Sequence, residues 1–91
     1  MTGDRQPEVP SELRTVADQC VLAVVRALNR AGVSDPLDRC AVLELAGRAL
    51  QSRRDQSASV AAQTGTSYAA IGRVTGMSRQ AAARRFNGLP R

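Results

Sequence analysis

A spacing constrains this chain more than any other feature. From Leu13 to Ala31 apolar residues return at steps of three and four: Leu13, Val16, Ala17, Cys20, Val21, Val24, Ala27, Leu28 and Ala31. That period draws one apolar stripe down an α-helix, whereas a half-buried strand would need strict alternation. Ser11 suits the N-cap, Glu12 suits the positive helix end, and Gly32 stops the run. A second run, Leu37, Cys40, Ala41, Val42, Leu45, Ala46, Ala49 and Leu50, follows Ser34-Asp35-Pro36. There Asp35 or Ser34 caps and Pro36 takes the first helical position. Glu44 and Arg48 form an i,i+4 pair on its outside.

No proline interrupts the second run before Gly65, so one helix of about 29 residues is open to it. The alternative is a break in residues 51–59, which hold no sizeable apolar side chain. Val60 falls five turns after Val42 and favours continuity. Only 2% of the chain is aromatic, too little for a β-sandwich or barrel. The expected fold is all-α: an N-terminal helical hairpin over 11–55, turning through 31–35, then a C-terminal helix-turn-helix over 56–91. Residues 1–10 read as a disordered lead-in. Leu22 and Val25 lie off the first stripe, and a helix apolar on more than one side is buried on more than one side. They are the expected dimer interface of a homodimer. Cys20 and Cys40 would be offset along the hairpin by roughly 9 Å, beyond disulfide reach, and read as small core residues.

The chain has 91 residues and a formal charge of +5, with 13 basic side chains, all Arg. Residues 1–35 sum to −1 and residues 36–91 to +6; from residue 56 on there are five Arg and no acid. A basic end of this kind points to an anionic partner, most simply nucleic acid. The chain has no His, which removes the commonest general base and, with two Cys, leaves no four-ligand zinc site. No nucleophile–base constellation can be drawn, so the chain does not read as an enzyme; no metal or cofactor is expected. The longest apolar run, residues 20–25, is far short of a membrane span. With no targeting segment visible, the expected location is the cytoplasm, with reduced thiols, beside the nucleoid.

The segment 65–86, GTSYAAIGRVTGMSRQAAARRF, holds two short helices and a tight turn. Gly65 closes the helix before it, and Thr66 or Ser67 caps the first short helix. Gly76 suits a left-handed turn residue. Ser78 caps the second helix, which stops at Asn87-Gly88 ahead of Pro90. Ile71, Val74, Met77, Ala82 and Phe86 can meet inside. This is a helix-turn-helix layout. With Ala82 and Phe86 inward, Gln80 and Arg84 face outward, with Ala83 and Asn87 beside them. Gln80 can pair bidentately with adenine and Arg84 with guanine, and Ala83 can touch a thymine methyl. Arg79 can reach a base or a phosphate. Arg73 and Arg85 read as phosphate clamps, and the helix starts at Thr66, Ser67 and Ser78 offer backbone N–H groups to phosphate. Tyr68 either covers the motif's core or bonds a phosphate. Arg53 and Arg54 read as ordinary surface.

The segment resembles the helix-turn-helix of small DNA-binding regulators of high-GC bacteria, most specifically in Met77-Ser78-Arg79-Gln80-Ala81-Ala82 with Arg85-Phe86. It departs from that pattern at Tyr68 (usually Trp), Ala70 (often a capping-box Glu) and Thr75 (usually Leu). The resemblance places the reading positions on Ser78, Arg79, Gln80, Ala83 and Arg84. It implies transcription regulation by sequence-specific binding of double-stranded DNA in the major groove. A homodimer would set two such helices about 34 Å apart. A second reading makes the chain an adaptor whose apolar hairpin binds a transcription-machinery protein, such as a sigma factor or RNA polymerase.

Overall fold

A computed structural model of the chain describes residues 9–87, and these are all-helical apart from turns. The order is α1 (Ser11–Arg30), α2 (Pro36–Gln63), α3 (Tyr68–Thr75) and α4 (Arg79–Asn87). The lead-in over 1–8 and the stop at Gly88 and Pro90 lie outside the described residues. The chain divides into two compact units, Val9–Leu50 and the residues from Gln51 onward.

The helix ends follow from local chemistry. Asp35 caps α2, its Oδ2 accepting from the Asp38 N–H at 3.1 Å. Ser67 and Ser78 do the same three residues on, accepting from Ala70 N–H at 3.1 Å and Ala81 N–H at 3.0 Å. Each such cap satisfies a helix N–H that has no carbonyl partner. Ser11 does not cap α1. It is the first helical residue, Pro10 holds the cap position, and no side chain bonds there. A proline ring cannot accept a hydrogen bond, so this start rests on proline's fixed φ, on the Pro10 carbonyl, which accepts the Leu13 N–H at 3.0 Å, and on Glu12 in the first turn.

Three glycines end helices in the left-handed region, with φ of 73° at Gly32, 105° at Gly65 and 77° at Gly76. After each, an N–H reaches back five residues: Val33 to the Leu28 carbonyl, Thr66 to Ala61, Met77 to Gly72. These are Schellman closures, which tie off carbonyls that the helix itself leaves open. α2 is continuous over 28 residues, so the polar stretch 51–59 is the middle of a helix.

In Val9–Leu50, α1 and α2 are joined at their turn, where Arg39 Nη1 donates to the Val33 carbonyl at 2.6 Å and to Asn29 Oδ1 at 3.2 Å. The packed hairpin and apolar core expected over 11–55 are not seen in this unit: beyond the turn, α1 and α2 scarcely pack on one another. Leu28 is the only buried residue here, and Leu13, Val16, Val21 and Leu22 stand exposed on α1. On α2, Leu37, Val42, Leu43, Leu45 and Leu50 are exposed as well. Val25, which was expected to share the role of Leu22, is half-buried. Cys20 and Cys40 are free and exposed rather than core residues, because the stripes that carry them have no cover.

The unit from Gln51 has a core. Ala58 of α2, Ile71 of α3, and Ala82 and Phe86 of α4 bury together, with Ala61, Ala62, Tyr68 and Met77 packed around them. The most extensive helix-on-helix packing among the described residues is α3 against α4. Val74, expected inside, is 53% exposed; Ile71 and Gly72 hold the inner face of the short α3 and turn Val74 outward.

Candidate nucleic-acid interface

The turn between α3 and α4 depends on a glycine that sequence reading passed over. A Cβ on Gly72 would collide with the Met77 carbonyl oxygen and come within 3.2 Å of the Ser78 carbonyl oxygen. The Gly72 carbonyl meanwhile accepts the Met77 N–H at 2.8 Å. The end of α3 and the start of α4 can therefore lie this close only if position 72 has no side chain. Thr75 stays at the edge of this turn, its hydroxyl donating back to the Ile71 carbonyl at 2.8 Å.

With Ala82 and Phe86 buried, α4 leaves Arg79, Gln80 and Arg84 exposed. Ala83 is half-buried, less open than the wheel suggested. Arg73 on α3 and the caps Ser67 and Ser78 are exposed too. The residues expected to read bases, Arg79, Gln80, Ala83 and Arg84, thus share one short helix, and all but Ala83 are open. The expected phosphate set divides. Arg73, Ser67 and Ser78 are accessible, but the Thr66 N–H is consumed by the Ala61 carbonyl at 2.9 Å. The Schellman closure of α2 needs that donor, so it is not free for a phosphate.

Arg85 also departs from expectation. Its Nη2 donates to Asp55 Oδ2 at 2.8 Å, thirty residues away on α2. The other carboxylate oxygen, Oδ1, accepts from Arg54 Nη2 at 2.8 Å and Nε at 3.1 Å. Asp55 is the only acid from residue 51 onward. The hydrogen bond from Arg85, seconded by Arg54, holds its carboxyl below the usual carboxylate range against the opposing effect of burial. Arg85, expected as a phosphate clamp, and Arg54, read as ordinary surface, are the two arms of an ion cluster that joins α4 to α2. Asp55, Met77, Ala81, Arg84 and Arg85 line one open concavity beside it. Spacing could not have found this contact, since it joins residues with no shared period; the isolation of one acid in a basic segment was the available signal.

Tyr68 is half-buried on the core, with its hydroxyl 3.4 Å from Asn87 Oδ1. Its ring covers the motif, one of the two roles open to it. Among the described residues no group of His, Cys, Asp or Glu is placed to hold a metal ion, and no helix is long and apolar enough to cross a membrane. Comparison with models of known families, with curated proteins and with solved structures finds no match for this chain.

Proposed function

We propose that the chain binds double-stranded DNA sequence-specifically as a transcriptional regulator, with α4 in the major groove. One observation carries the reading. The second helix of a tight helix–turn–helix buries Ala82 and Phe86 and leaves Arg79, Gln80 and Arg84 exposed together on its other side. Gln80 and Arg84 are the base readers, since an amide and a guanidinium can each form two parallel bonds to a purine edge. Arg79 stands in the first turn, where it reaches a base or a phosphate. Arg73, Ser67 and Ser78 hold the backbone; Arg85 is left out of that set because Asp55 already engages it. The working form is a homodimer, which doubles the length of sequence read.

Selection of bound sites from a random duplex pool tests this, followed by titration of the selected site against unrelated DNA. Arg84→Ala and Gln80→Ala should each lose about 1–3 kcal/mol of discrimination. Arg73→Ala should weaken all duplexes alike and reduce the salt dependence by about one phosphate contact. A chain that retards no duplex at low salt would overturn the proposal, and unchanged site preference in Arg84→Ala would overturn the assigned register.

A further inference from the structure

Within Val9–Leu50 the apolar surface has no cover. Nine Leu and Val side chains there are exposed, among them Leu37 at 76%, Leu45 at 64% and Val21 at 63%, against Leu28 alone buried. At 100° per residue, Leu37, Val42, Leu43, Leu45 and Leu50 spread over about two thirds of the circumference of the first half of α2. A helix apolar over so wide an arc is one that several neighbours surround, and α1 scarcely packs on it. We infer that Val9–Leu50 is half of a core, completed by the same segment of a second copy of this chain, and that the segment folds and dimerises in one step.

Charge and area single out the occupant. Val9–Leu50 holds five Arg and five acids, a net charge of zero, so two copies meet without net repulsion. A nucleic acid would find no field there to attract it, and a strongly acidic or basic protein no charge to select. The exposed Leu and Val side chains offer several hundred square ångströms, on the scale of the roughly 800 Å² that each partner gives to a standard interface. Most apolar side chains of residues 51–87 are committed to the Ala58–Ile71–Ala82–Phe86 core, and the exposed Val60 and Val74 are too few to match nine. Four helices, α1 and α2 from each copy, then bury the stripes on α1 and the apolar arc of α2, leaving Glu44 and Arg48 outside, as a self-complementary patch pairs about a two-fold axis. The interface is wider than Leu22 and Val25: Leu13, Val16, Val21 and Leu45 belong to it.

The experiment is sedimentation equilibrium of the full chain from about 1 to 100 μM, with thermal melting followed by helical circular dichroism over the same range. Tyr68 is the chain's single tyrosine and there is no Trp, so tyrosine fluorescence reports on the other unit separately. The expected result is a dimer mass, with a helical midpoint that rises with concentration. Leu45→Arg and Leu22→Arg should weaken the dimer at least tenfold and lose helix, with the Tyr68 signal kept. A monomer whose helix content is independent of concentration would overturn the inference, whether the surface then binds a different protein or none. So would an assembly larger than two, or charge variants that dimerise like the parent. This outcome is separable from the DNA reading: a dimer that binds no duplex keeps the inference, and a monomer that binds one keeps only the other.

Discussion

The two halves of this molecule are built from the same few residue types, yet only one of them closes. The unit from Gln51 buries Ala58, Ile71, Ala82 and Phe86 with short helices of eight and nine residues. Val9–Leu50 has longer helical segments and more Leu and Val, and buries only Leu28. Apolar content is therefore not what closes a core. Closure comes from arrangement: the turn at Gly76 folds α4 back against α3, and small faces on three helices pack with one aromatic ring. α1 and α2 carry more grease than two helices can hide from water, and a surplus of that kind calls for a partner surface.

Phe86→Ala breaks the comparison most severely. It removes the ring on which the closed unit converges and should cost about 3–5 kcal/mol, read as loss of the Tyr68 signal, with the α1 helix retained. Gly72→Ala should cost about 1–3 kcal/mol by overpacking, because the obstacle is the Met77 backbone rather than a side chain that can rotate away; urea unfolding followed at Tyr68 measures it. Asp55→Asn should cost about 1 kcal/mol, the upper end for a partly exposed ion pair. The effect depends on pH. The Asp55 carboxyl titrates below its unfolded value, so its contribution is complete above about pH 4 and fades as pH falls through the lower folded value. Acid unfolding of the parent and of the Asn variant should converge at low pH; parallel curves would show that the cluster contributes nothing. Glu44→Gln is the control in the open half. Its pair with Arg48 spans 3.1 Å with both side chains well exposed, and its loss should cost no more than about 0.5 kcal/mol.

Sequence reading succeeded where the physics is local. Gly32, Gly65 and Gly76 occupy the left-handed positions expected of helix-ending glycines, and Asp35, Ser67 and Ser78 make the cap bonds that short polar side chains make. The continuity of α2 was legible from the phase of Val42 and Val60, although both side chains are exposed. What periodicity cannot give is cover. It marked the α1 stripe as apolar and could not say that nothing in Val9–Leu50 lies over it, so Cys20 and Cys40 were placed in a core that this unit does not close. Nor can it see a contact such as Arg85 to Asp55, where partners thirty residues apart meet only once the fold has formed. Gly72 escaped for a third reason: its conformation is an ordinary helical one, and what it provides is the space a neighbour's carbonyl occupies.

The Arg54–Asp55–Arg85 cluster has a consequence for how the candidate interface responds to its surroundings. Residues 51–87 contain no His, Lys, Glu or Cys, and their only carboxylate is kept ionised by its two arginines. No group in that stretch ordinarily changes charge between pH 5 and 9. The positive field it presents is therefore fixed across the physiological range and answers to salt alone, which makes ionic strength, not acidity, the variable that would set its occupancy on a polyanion.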